Sequence, residues 1–279
     1  MYESYYGLRE KPFSILPDPD LIYWGQTHRM AFAMLEFGVM NNAGFTVITG
    51  EIGSGKTTLV RHLLKKIDPN VMKVGLISNT PQGREELLQW IMMSLDQPSE
   101  GSPAALLKNF QDFLRAQGLN GHRTILIIDE AQNLDESTLE SLRMLSNINV
   151  DKRQFLQLIL VGQPQLKDIL CRPQLMQFAQ RVSSDFHLKA LAPHEVAQYI
   201  GFRLNAVGSR VHLFSLDACT MIAEASHGIP RIINILCDTA LVYGFATRAD
   251  QITTKLVGDV IEDKRKYGIF PMNGNVVKC

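Results

Sequence analysis

Apolar residues along this chain alternate between two periodicities, and their order is informative. Short apolar runs predict strands at Phe45, Val47 and Ile48 ending on Gly50, at 72–78, at 124–128, at 156–161 and near 184–188. Between them lie segments with helical spacing at 56–66, 83–95, 103–117 and 136–146. The run Thr124-Ile125-Leu126-Ile127-Ile128 has no polar alternation, which marks a strand buried on both faces of a parallel sheet. After about Ala190 the strands stop. Helices are predicted at 193–206, 215–226, 230–247 and 254–264, with Ser215 and Thr254 as caps and Pro193 and Pro230 in first turns. Another helix is predicted at 27–41, capped by Thr27, with Met30, Ala33, Met34 and Phe37 forming its apolar side. Ahead of it the prolines at 12, 17 and 19 predict a leader without regular structure. The fold class is α/β, a parallel sheet sandwiched by helices with a C-terminal helical domain.

Gly50-Glu51-Ile52-Gly53-Ser54-Gly55-Lys56-Thr57-Thr58 sits where the first strand gives way to its helix. Gly, four residues and Gly-Lys-Thr in that setting form a phosphate-binding loop. The glycines let successive N–H groups converge on anionic oxygens, and the N-terminal end of the helix adds its positive dipole. Lys56 then reaches the β- and γ-phosphates, and the Thr57 hydroxyl takes a Mg²⁺ position. These residues imply a bound nucleoside triphosphate with Mg²⁺.

Asp129-Glu130 closes the most apolar strand. Asp129 there suits the metal beside the phosphate loop, and Glu130, one residue on, suits polarising a water toward the γ-phosphate. Asn79 and Gln163 end two other predicted strands, on the edge where parallel sheets bind ligands. Asn79 is expected to hold Glu130, and Gln163 to orient the water or touch the γ-phosphate. Arg181 and Arg172 are candidates to reach a neighbouring subunit's site, Arg181 being preferred, and Arg231 to reach the phosphates from the helical domain.

Composition changes little. Of 279 residues, 46% are hydrophobic and 20% charged, and 28 basic residues balance 28 acidic ones, so no gross attraction to nucleic acid is expected. Cys171, Cys219, Cys237 and Cys279 have no metal-type spacing and fit a reducing compartment. No signal peptide and no run of about 18 apolar residues is visible, so a cytoplasmic protein is expected.

Taken together, these residues resemble the AAA+ ATPases, members of the P-loop NTPase class. More narrowly, Tyr6-Gly7-Leu8, Lys11-Pro12-Phe13, Pro17-Asp18-Pro19 and His28-Arg29 resemble the ExeA/GspA family of general secretion pathway ATPases and their relatives beside exosortase and exopolysaccharide systems. The resemblance implies a P-loop ATPase domain with its leader at 1–189, a helical lid at 190–267 and a loose tail at 268–279. It implies Gln163 as sensor one, Arg231 as sensor two, Arg181 as the trans arginine finger and Asn79 as the glutamate switch, with Tyr6, Phe13 and Pro17 near the base. It further implies a homo-oligomer that hydrolyses ATP to remodel a secretion or envelope polysaccharide export assembly, held peripherally at the inner membrane through a partner. Those secretion ATPases continue into a membrane helix and a peptidoglycan-binding part, and a chain ending at Cys279 is expected to carry the motor half alone. The less favoured alternative is an ATP-regulated DNA-binding ATPase that selects transposition targets.

Overall fold

The computed structural model describes residues 1–78, 83–150, 153–209 and 211–268. The chain divides into two compact units, one of Met1–His28, Glu51–Thr58 and the residues from Lys189 onward, the other of Arg29–Gly50 and Leu59–Leu188. The leader and the phosphate loop therefore cluster with the C-terminal helices, where the sequence reading grouped them with the sheet.

The second unit is built on a five-stranded parallel sheet. Its strands are β1 (Phe45–Gly50), β2 (Met72–Ile77), β3 (Arg123–Ile128), β6 (Leu156–Gly162) and β7 (Val182–Leu188), in the order β2-β3-β6-β1-β7. The intervening β4 (Asn149–Val150) and β5 (Arg153–Gln154) form a separate two-stranded ladder that strand periodicity was too short to reveal. β1 and β6 are buried at every position, as helices on both faces require. On one face Phe45, Val47, Leu126, Ile128, Leu158 and Leu160 pack with residues of α4 (Gly83–Ser94), α5 (Pro103–Leu119) and α6 (Glu136–Leu145).

The other face receives α2 (Gln26–Met40), and here one expectation fails. Met30 and Phe37, placed on the apolar side from sequence, are each 54% exposed, whereas Ala31, Phe32, Leu35 and Val39 are buried. Both stripes have helical spacing. The choice between them falls to Gly38, which lets α2 approach so closely that a Cβ there would lie 2.3 Å from Thr46 Oγ1. Gln157, buried mid-strand, donates to the carbonyls of Gly38 and Val39 and fixes the same contact. Thr27 is not the cap but lies inside the helix, its hydroxyl 3.5 Å from the Lys189 carbonyl.

The first unit has its own core, drawn from α9 (Pro193–Ala206), α10 (Leu216–Ser226), α11 (Pro230–Ala246) and α12 (Thr254–Tyr267). Ser215 caps α10 by accepting from the Ala218 N–H, as expected, while the N-cap of α12 is Thr253 rather than Thr254. The leader opens with a short helix, α1 (Tyr2–Tyr5), that the prolines had not suggested, and it buries Tyr2, Leu8 and Phe13 in this core. Arg203, 5% exposed, holds the leader by donating to the carbonyls of Pro12 and Ser14. A buried guanidinium with its donors on backbone carbonyls anchors an irregular segment in place of a hydrogen-bond ladder.

Candidate active site

β1 ends at Gly50, and the chain turns through Glu51–Gly55 into α3 (Lys56–Lys66). Gly53 and Gly55 have φ of +80° and +102°, which only glycine adopts without strain. The Lys56 side chain folds back so that Nζ donates to the Glu51 carbonyl at 2.9 Å, and the residue is 6% exposed. An ammonium on a residue so little exposed is stabilised by an anion brought to the loop.

The helical unit approaches the loop at Gly53. The Arg231 N–H donates to the Gly53 carbonyl at 3.2 Å, and a Cβ on Gly53 would lie 2.4 Å from Arg231 Cβ. Arg231 is the second residue of α11 and is presented by a tight reversal before it. There His227 is left-handed (φ +49°) and Gly228 (φ +73°) packs so tightly that a Cβ would meet the Leu191 carbonyl oxygen at 2.0 Å. Gly53→Ala is accordingly expected to lower stability by roughly 1–3 kcal/mol through backbone strain alone, and by more once Arg231 is displaced. Thermal melting of the variant against wild type measures this.

On the sheet unit, Asp129 and Glu130 follow β3 at the edge where β1 delivers Gly50. Asp129 is buried; its N–H continues the ladder to the Ile77 carbonyl at 2.9 Å, and its Oδ1 accepts from the Glu130 N–H at 2.9 Å. Glu130 is left-handed (φ +53°), a conformation that costs a non-glycine residue and clusters at functional sites. Its Oε2 accepts from Gln163 Nε2 at 3.3 Å, a contact the sequence did not suggest, since Glu130 was paired there with Asn79 and Gln163 with the water or the γ-phosphate. Gln132 lies beside them and was missed. Its Nε2 donates to the same Oε2 at 2.7 Å, and its Oε1 accepts from the Gln163 N–H at 2.8 Å. The signal available was its place two residues after Glu130, inside a 3₁₀ turn (Ala131–Asn133) that points it back over the strand end.

Asn79 lies outside the described residues. Arg181 stands just before β7, at the sheet edge opposite Gly50 and Asp129, roughly 20 Å away along a seven-residue strand. It is half-buried and donates to Ser146 Oγ at 3.1 Å. Arg172 is paired with Glu136 at 2.7 Å on the surface. Of the leader residues expected near the base, Phe13 is 2% exposed and packs edge-on against Phe214, and Tyr6 donates to the Ala249 carbonyl. Pro17 does not line the cavity beside the loop; Leu21, Ile22, Tyr23 and His28 do. The leader does meet the loop, through its last residues rather than its first.

The Thr57 hydroxyl and the Asp129 carboxylate are each hard oxygen donors, the type that Mg²⁺ takes alongside phosphates and water. Among the described residues no helix is long and apolar enough to cross a membrane.

Residues 39–170 match the family model described as AAA domain. General secretion pathway protein A of Aeromonas hydrophila is 37% identical over 254 residues, which cover 90% of this chain and 46% of that protein. The chain thus spans less than half the length of that relative. Among solved structures, the Aeropyrum pernix ORC2 protein in its ADPNP–ADP complexes aligns with a TM-score of 0.68 at 17% identity, covering 91% of this chain and 71% of that one. Drosophila ORC bound to DNA gives 0.68 at 13%, covering 94% and 65%, and the Thermotoga maritima RuvB Holliday junction branch migration motor gives 0.57 at 19%, covering 92% and 76%. Such identities speak for the fold alone. With a phosphate loop on one unit, an acid pair at the sheet edge of the other and an AAA domain match, the chain is an AAA-domain ATPase that across nine-tenths of its own length is similar to general secretion pathway protein A.

Proposed function

We propose that this ATPase hydrolyses ATP with Mg²⁺ as a homo-oligomer and uses the cycle to remodel a protein assembly of a secretion or envelope polysaccharide export system. The observation that carries the hydrolytic part is the Glu130 carboxylate, gripped through one oxygen by Gln132 and Gln163 at the phosphate-loop edge of the sheet. Two amide donors on Oε2 orient the side chain and leave Oε1 to take the proton of an attacking water. Gln132 acts here as a positioning residue, tying the base to the backbone at the end of β6.

Lys56 and the loop amides of Gly50 to Thr58 bind the triphosphate, and Arg231 closes on it from α11. Thr57 and Asp129 would hold Mg²⁺, which would supply positive charge to offset that of the phosphates. Gln163 senses the γ-phosphate, and Asn79 is assigned the switch on Glu130. Arg181, on the far edge of its own sheet, is suited to the site of an adjoining copy. The secretion context rests on the name of the Aeromonas relative; a cytoplasmic position, peripheral at the inner membrane through a partner, belongs to the same proposal.

Arg181→Ala is expected to lower turnover by about 10³-fold or more, the scale of a trans finger, with ATP affinity retained. Steady-state phosphate release together with equilibrium nucleotide binding measures both, and normal turnover in that variant removes the finger assignment. The transposition-regulator alternative predicts duplex-DNA affinity that ATP raises and that falls steeply with salt; binding measured at about 0.1 M salt separates it.

A further inference from the structure

Beside the phosphate loop the helical unit holds a cavity of about 60 Å³. Gly55 and Thr58 line it at the loop, and Ile22, Tyr23, Leu191 and Tyr199 give it apolar and aromatic walls. Both tyrosine hydroxyls are tied elsewhere, Tyr23 to Gln198 and Tyr199 to Asn234, so the rings present carbon surface. Walls of that kind suit the faces of a flat heterocycle attached to a triphosphate in the loop.

His28 also lines it, and its ring has a defined polarity. Nε2 lies 3.0 Å from the Ser54 carbonyl, which can only accept, so Nε2 carries the hydrogen. Burial lowers the imidazole pKa, against the opposing pull of the Ser54 carbonyl and Glu195, and keeps the ring neutral. Nδ1 is then a bare lone pair. It is buried and has no hydrogen-bond partner among the described residues, in a side chain only 6% exposed.

We propose that His28 selects the base of the bound nucleotide: Nδ1 accepts a hydrogen bond from an exocyclic amino group, as on adenine, and opposes a base carrying an oxo group there. The proposal rests on the nucleotide binding argued above. An oxo oxygen facing Nδ1 sets two acceptors against each other, and a site built around one polar contact discriminates strongly against its mismatch.

The test compares ATP with inosine triphosphate, which replaces the 6-amino group by an oxo group, by equilibrium binding to wild type and to two variants. Wild type is expected to bind ATP at least about tenfold more tightly. In His28→Gln the amide nitrogen can still reach the Ser54 carbonyl but no acceptor remains at Nδ1, and the preference is expected to fall to near unity. In His28→Asn the amide stands where Nδ1 was and can turn either end to the base, so both nucleotides are expected to bind. Equal wild-type affinities, or a preference unchanged in His28→Gln, overturn the proposal and leave nucleotide binding intact. Failure of wild type to bind either nucleotide removes nucleotide binding itself.

Discussion

Glu130→Gln is expected to leave ATP bound and to stop its turnover. The substitution keeps shape and volume. Its amide oxygen can still accept from Gln132 and Gln163, as Oε2 does at 2.7 and 3.3 Å, so the strand end holds together. What is lost is the proton acceptor. Removing a positioned general base costs typically 10²- to 10⁴-fold, and phosphate release should fall within that range while the ATP dissociation constant stays within about twofold. A fall in affinity equal to the fall in turnover would mean that Glu130 binds nucleotide and does not activate water.

Lys56→Ala should do the reverse and weaken binding. Lys56 is 6% exposed as a residue and its ammonium donates to the Glu51 carbonyl, so its favourable interaction with a triphosphate is only partly screened by water. A hydrogen bond to a charged group contributes about 1.5–3 kcal/mol, which corresponds to about 10- to 100-fold in affinity. Isothermal titration with ATP in Mg²⁺ reads this directly. The loop should survive, because its path is set by the glycines at 53 and 55 and not by the lysine. An unchanged dissociation constant would show that the triphosphate does not sit in this loop.

How much of this was legible in the sequence follows from which forces act locally. The loop, the buried strand ending in Asp129-Glu130 and the helices beginning at Pro193 and Pro230 are local patterns, and the structure places them as read. The buried side of α2 was not legible, because two stripes with the same period compete and Gly38 decides between them through Thr46, a contact made only in the fold. Gln132 was hidden for a related reason. It stands beside Glu130 in sequence, yet its partner Gln163 comes from another strand, and only their adjacency shows that one amide spans both. The leader's short helix forms by burying Tyr2 in a core contributed by the far end of the chain, which no local propensity encodes. His28 stood out beside Arg29 in the leader, but its use depends on the Ser54 carbonyl that fixes its tautomer.

The central claim is that a magnesium–ATP complex is bound by the turn from β1 into α3 and hydrolysed with Glu130 as base. Phosphate release by wild-type protein, followed with Mg²⁺ and again with the metal chelated, tests it most directly. The account predicts steady release that requires the metal and disappears in Glu130→Gln. Release that continues without metal, or that persists unchanged in Glu130→Gln, would contradict it.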